Sequence, residues 1–274
     1  MLVAVEYVGS VGCGVTRPQY FKASNGNVYV VKLQNNRLGT KVLANEYLAA
    51  QMGYLLNLRF PPSDIIEISE EYVSLQPDLA ELGISAGRHF ASLYLDNTEY
   101  LSKFNIRQAA NIPEMAGVIL FDHLFHNSDR AYNRRNLLLR QENDEFIIYA
   151  IDNSHLLRSG TWTVKALEKM ATRKRVYYRY NYGILLRECL FTHDFLPFAE
   201  RVRSLSDSII DQAVDEIPVE WLPDQNERKA MAQYIKLRCS MLDEMLRKLY
   251  RQIPEERGGK RMVFRKRESE LQKP

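Results

Sequence analysis

Four polar clusters hold residue types suited to phosphate and metal chemistry, and they follow one another along the chain. The first is a glycine-rich turn, Gly9-Ser10-Val11-Gly12-Cys13-Gly14, with Arg17-Pro18 close behind. Glycines let backbone N–H groups approach anionic oxygens closely, although a hairpin turn needing positive φ uses the same residues. The spacing matches neither G-x-G-x-x-G nor a Walker A loop. The second is Lys32, set among the strand formers Val30-Val31-Lys32-Leu33, with Glu46 further along in a helical stretch. A strand lysine steadied by a carboxylate grips phosphate; one that follows simple alternation faces solvent. The third is Asn127-Ser128-Asp129-Arg130, continuing through Asn133 to Asn136. An aspartate in a polar loop orients or deprotonates an attacking hydroxyl, and an asparagine entering the next strand ligates a metal. An Asx-rich turn around a salt-bridged aspartate is the structural alternative. The fourth is Asp152-Asn153, closing the apolar run Ile147–Ile151. A carboxylate at a strand end suits Mg²⁺, which takes hard oxygen ligands and few of them from protein.

The elements that must carry these groups are legible from pattern. Asn25-Gly26 is a hairpin signal between strands at Tyr20–Ala23 and Val28–Leu33. Thr40 is placed to cap a helix over Lys41–Met52 that Gly53 would stop. Ile65–Ile68, Tyr72–Leu75 and Phe90–Leu95 read as strands. From about Asn97 the helical period dominates, beginning with a helix from Pro113 to about Phe125. The hairpin Asn136–Arg140 and Phe146–Ile151 interrupts it. Helices are expected over about 164–172, 182–190 and 205–213, with a long one at 225–252. The division is therefore 1–96, β-rich; 97–254, mainly helical; and 255–274, a basic tail without periodicity that reads as disordered.

Composition sets outer limits. Hydrophobic residues at 46% and charged residues at 26% are ordinary for a globular protein, and a net charge of +3 does not point to nucleic acid. No apolar run reaches the roughly 20 residues of a membrane span, so no membrane partner is expected. The N-terminal segment lacks a basic n-region and does not read as a signal peptide. Three scattered cysteines, Cys13, Cys189 and Cys239, fit a reducing cytoplasm better than a disulfide framework.

Gly12–Pro18, Tyr29-Val30-Val31-Lys32, Asn45-Glu46-Tyr47-Leu48-Ala49 and Asn127-Ser128-Asp129-Arg130 together resemble the HipA-like kinases, a branch of the protein-kinase-like superfamily. The similarity covers roughly residues 8–155. It implies an α+β, two-lobed protein-kinase-like fold, with a small β-rich N-terminal lobe that grips ATP and a larger helical C-terminal lobe. By this resemblance Gly12, Gly14, Lys32 and Glu46 bind the nucleotide, Asp129 is catalytic, and Asp152 with an asparagine holds Mg²⁺. In kinases the asparagine lies five residues beyond the aspartate; here Asn133 is too near and Asn136 too far. Asn136 is preferred because it enters the Leu137–Leu139 strand. The implied activity is transfer of the ATP γ-phosphoryl group to a hydroxyl, on a protein Ser or Thr. A small-molecule kinase and a nucleotide-binding module without turnover are the alternatives.

Three further features stand outside that set. Asp122-His123 and His126 share a helix face but have no third metal ligand at motif spacing, so a structural role is expected. Cys13 lacks a neighbouring base and is not read as a nucleophile. Arg173-Lys174-Arg175-Val176-Tyr177-Tyr178-Arg179-Tyr180 interleaves cations with aromatics. It reads as a solvated surface, then as a dock for an acidic or phosphorylated partner, and last as a nucleic-acid site.

Overall fold

The computed structural model describes residues 1–254; the tail expected over 255–274 lies outside the described residues. Five strands near the N-terminus close into a barrel: β1 (Leu2–Ser10), β2 (Gln19–Ala23), β3 (Val28–Lys32), β4 (Ser63–Ile68) and β5 (Gly87–Leu93), in the order β1-β2-β3-β5-β4. The β2–β3 hairpin turns at Asn25-Gly26, where Gly26 takes φ +84, and its register pairs Phe21 with Tyr29. Alternation sends Phe21, Val31, Ile66, Ile68 and Ala91 into the barrel, each large side chain contributing roughly 1.5–3 kcal/mol. β1, which the sequence pattern does not mark, closes the barrel by pairing antiparallel with β2 and parallel with β4.

Helix α1 (Lys41–Leu55) follows β3. It runs past Gly53, the expected stop. That glycine serves packing instead, since a Cβ there would lie 2.4 Å from the Phe60 ring. Nor does the Thr40 side chain cap α1; only its carbonyl accepts, from Leu43 and Ala44. The strand expected at Tyr72–Leu75 is helical, in α2 (Glu70–Ser74), followed by α3 (Pro77–Glu81). Ser69 decides this: its hydroxyl accepts from the Tyr72 N–H at 3.0 Å, and Glu70 and Glu71 favour a helix N-terminus. Tyr72 and Val73 then pack, with Leu79 and Ile84, against the barrel interior.

Beyond the barrel, β6 (Thr98–Tyr100) joins the expected hairpin β7 (Leu137–Glu142) and β8 (Glu145–Ala150) in a three-stranded sheet. Between them lie α4 (Met115–Leu124), buried at every residue, and the short α5 (Asp129–Tyr132). The remainder is helical: α6 (Val164–Ala171), α7 (Tyr180–Ile184) running into a π turn at Leu185–Cys189, α8 (Leu196–Arg203), α9 (Asp207–Asp215), α10 (Gln225–Ser240) and α11 (Leu242–Tyr250). The single helix expected over 225–252 is therefore broken at Met241. Neither proline nor glycine causes the break. It follows Arg238, whose buried guanidinium donates to the carbonyls of His123, Leu124, Ala171 and Arg173. Those bonds fix this end of α10 against α4 and α6. One apolar cluster joins α1 to α4 and the later helices. Among the described residues, no helix is long and apolar enough to cross a membrane.

Candidate active site

A cleft of about 680 Å³ lies between the barrel and the β6–β8 sheet, with Val30, Lys32, Leu93, Leu138, Ala150 and Asp152 among its walls. Lys32, the last residue of β3, is 8% exposed. Its ammonium bonds the Glu46 carboxylate and, at 2.7 Å, Asp152 Oδ1. The lysine therefore joins α1 to the loop after β8. Glu46 is buried and accepts the Asn153 N–H on both oxygens at 3.0 Å. Asn45, its neighbour, fixes the helix: Nδ2 donates to the carbonyls of Ser154 (3.0 Å) and Leu156 (2.8 Å), while Oδ1 accepts from the Trp162 indole at 3.1 Å.

The electrostatics follow from one buried cation among two carboxylates. Burial works against the charged form of Lys32, but Asp152 and then Glu46 outweigh it and hold the ammonium protonated well above its ordinary range. Burial likewise works against ionised Asp152, yet Lys32 and the Ser154 bonds keep its carboxyl well below the usual carboxylate range. Glu46 moves the other way. Burial raises its pKa more than Lys32 lowers it, and the nearby Asp152 charge adds to the rise.

Asp152 sits at φ +62, a left-handed conformation that Asp tolerates better than most residues. Ser154 steadies it through its N–H (3.2 Å) and hydroxyl (2.6 Å). These bonds and that of Lys32 all reach Oδ1. Among the described residues no hydrogen bond goes to Oδ2. Asp129 opens α5, and the Asn136 amide donates to its Oδ2 at 2.7 Å. His155 Nδ1 lies 3.9 Å from the same oxygen. Asn136 is buried and lines the cleft. Because its nitrogen serves the carboxylate, its carbonyl oxygen is the atom left to meet a cation. Asn133 is committed differently: its oxygen accepts the Arg135 N–H at 3.1 Å and caps the 3₁₀ turn Arg134–Asn136. The helical turn of α5 plus this 3₁₀ turn takes up the long spacing from Asp129 to β7.

The glycine turn joins the same cleft through Val11, Cys13 and Gly14. Gly14 takes φ +95, and a Cβ there would lie 3.3 Å from the Pro18 ring. Gly12 shapes the turn at φ +75 without being a wall of the cleft. Arg130 turns inward, pairing with buried Asp122 of α4 and donating to Asn153 Oδ1 at 2.6 Å. It ties α4 to the Asp152 loop. Asn45, Ser154 and Asp122 escaped the sequence reading of the site. Asn45 stood in the quoted stretch Asn45–Ala49 and Asp122 beside His123 and His126, but neither setting reveals the bonds these residues make. His123 is engaged by the Ile119 carbonyl and the Tyr177 N–H, and His126 by the Tyr234 hydroxyl.

Lys32 thus touches both Glu46 and Asp152, and Asp129 and Asn136 are bonded to each other. The sequence profile of the HipA-like kinases matches residues 4–253. The chain belongs to the HipA-like kinase family. It is therefore a phosphotransferase by family. No curated protein sequence matches the chain. Among solved structures, the Helicobacter pylori proinflammatory kinase CtkA matches with a TM-score of 0.57 and 11% identity, over 92% of this chain and 96% of that one. Hydra Fam20, solved with sugar, matches with a TM-score of 0.50 and 12% identity, over 93% of this chain and 88% of that one. At these identities the likeness is one of fold: N-terminal strands followed by a helical C-terminal part. In this HipA-like kinase the cleft is walled by the barrel on one side and the β6–β8 sheet on the other.

Proposed function

We propose that this HipA-like kinase binds ATP with Mg²⁺ in the cleft and transfers the γ-phosphoryl group to a hydroxyl of a protein Ser or Thr. The observation that carries the reading is Lys32 bridging Glu46 and Asp152 beside the Asp129–Asn136 pair. In this reading residues 1–96 and 97–254 act as two lobes that close on the nucleotide. Val30, Leu93 and Leu138 offer apolar surface to the base, and Gly12 and Gly14 shape the turn over the phosphates. Lys32 binds phosphate oxygens, with Glu46 holding it in place.

The donor set fits a hard cation. Asp152 Oδ2 and Asn136 Oδ1 are oxygens left over after their partner atoms are bonded, and two protein ligands suit Mg²⁺ completed by phosphates and water. The ion would neutralise charge on the phosphoryl oxygens. Asp129 would orient the acceptor hydroxyl and take its proton as the new O–P bond forms and the bond from γ-phosphorus to the bridging oxygen breaks, releasing ADP. Its bond from Asn136 keeps the carboxylate oriented for that role.

Calorimetric titration tests the nucleotide site. ATP should bind when Mg²⁺ is present, and affinity should fall when the ion is chelated or Asp152 is changed to Ala. No heat and no thermal shift at millimolar Mg-ATP would overturn the proposal. Tight binding without transfer to any acceptor would favour the binding module over the enzyme.

A further inference from the structure

The cationic, aromatic segment after α6 is built onto the loop that carries Asp129. Residues 173–179 have no regular secondary structure and are held by rings. Tyr177 packs edge-on against Tyr132 at 6.1 Å between centroids. Its N–H is anchored on His123 at 2.8 Å. Arg179 lies over the Tyr132 ring at 5.4 Å, and Arg134 over Tyr180 at 4.1 Å. Arg158 and Arg175 are near enough to act electrostatically on Tyr177. Ser128, Tyr132 and Arg134 flank Asp129 in sequence, so Arg134 and the Arg179 stacked on Tyr132 stand on the segment that carries Asp129.

Arg134, Arg158, Arg175 and Arg179 are exposed, and among the described residues none has a carboxylate partner. Arg59, Arg107 and Arg203, also on the surface, do have one: Glu114, Glu188 and Asp243. Ring stacking holds a guanidinium flat while leaving its N–H edges available for planar anions such as carboxylates. Arg134, Arg175 and Arg179 are held against rings in this way, the Arg175 guanidinium 5.9 Å from the Tyr177 centroid; with the exposed Arg158 they disfavour a basic ligand and favour an acidic one. They come from three separate segments, with Arg134 five residues beyond Asp129, the Arg158 N–H bonded to the His126 carbonyl and Arg179 stacked on Tyr132, which suits a short peptide crossing the acceptor position. A nucleic-acid strand would call for a longer basic track.

We infer that the acceptor is an acidic peptide segment, whose carboxylates on either side of the phosphorylated hydroxyl are read by Arg134, Arg158, Arg175 and Arg179. The inference rests on the phosphotransfer reading of Asp129, but its test does not require turnover.

Fluorescence anisotropy with the full chain uses two labelled ten-residue peptides carrying a central Ser, one flanked by Asp and Glu and one by Lys. The acidic peptide should bind at least about ten-fold more tightly at low salt. A double charge reversal, Arg175→Glu with Arg179→Glu, should cut that preference about ten-fold or invert it. If the double variant is misfolded by circular dichroism, Arg158→Glu with Arg175→Gln is read in its place. Equal binding of both peptides, or a preference that survives charge reversal, overturns the inference. So does a labelled single-stranded oligonucleotide that binds the patch and resists competition by the acidic peptide. Mg-ATP titration of the same preparations separates the outcomes. Loss of nucleotide binding in the wild type counts against the kinase cleft, whereas peptide indifference with nucleotide binding intact counts only against the acidic dock.

Discussion

Replacing Lys32 by Met removes the one cation between Glu46 and Asp152 while keeping a similar side-chain volume. Two carboxylates would then face each other, one of them 3% and the other 35% exposed. Breaking a buried pair by deleting one partner costs about 3–5 kcal/mol; with Asp152 free to relax toward solvent, the lower end, about 3 kcal/mol, is expected here. In a domain of this size that lowers Tm by roughly 6–12 °C. The pH dependence carries the finer test. In the wild type, the depressed pKa of Asp152 contributes stability that is present above the unfolded carboxyl value and is lost as pH falls below it. In the variant both carboxyl pKa values should rise above their unfolded values, so protonation relieves the repulsion as pH falls. The stability gap between the two proteins should therefore be widest near pH 8 and narrow toward pH 5. Thermal denaturation followed by circular dichroism at fixed ionic strength measures it. A variant with wild-type Tm, or a gap constant across that range, would refute the bridging role given to Lys32.

Asp129→Ala should abolish phosphoryl transfer and leave Mg-ATP affinity largely intact, because a residue acting on the nucleophile adds little to ground-state nucleotide binding. Asn136→Ala should weaken Mg²⁺-dependent binding as Asp152→Ala does, whereas Asn133→Ala should not; calorimetry on the three variants checks the assignment. Mg-ATP at about 100 times its Kd should stabilise the fold by roughly 2.7 kcal/mol, read as a rise in Tm that vanishes on chelation. Burial lowers the pKa of His89 and His123 to about 4 and of His126 to about 3. Their stabilising contribution is present above about pH 6.5 and is lost as pH falls, by about 2 kcal/mol per histidine at pH 5. Stability that stays flat from pH 7 to 5 would contradict this.

The residues that come together at the cleft were more legible in the sequence than the boundaries of the elements. Lys32, Glu46, Asp129, Asn136 and Asp152 each stand in a short polar interruption of an apolar pattern, and such interruptions survive in a single sequence. What the pattern hid was decided by contacts distant along the chain. Tyr72–Leu75 has strand-forming residues, but Ser69 and two glutamates start a helix there. Gly53 reads as a helix stop, yet the space it leaves is taken by Phe60. The break at Met241 follows the carbonyls that Arg238 gathers from α4 and the end of α6. Asn45 and Ser154 look like ordinary polar residues until the fold brings α1 against the Asp152 loop.

The most direct test of the account is single-turnover transfer from ATP labelled on its γ-phosphate, with Mg²⁺, followed as phosphate appearing on a Ser-containing acceptor protein or on the enzyme itself. The account predicts label transfer by the wild type and none by Asp129→Ala, with both proteins binding Mg-ATP comparably. Wild-type transfer rates in a folded Asp129→Ala protein would contradict it.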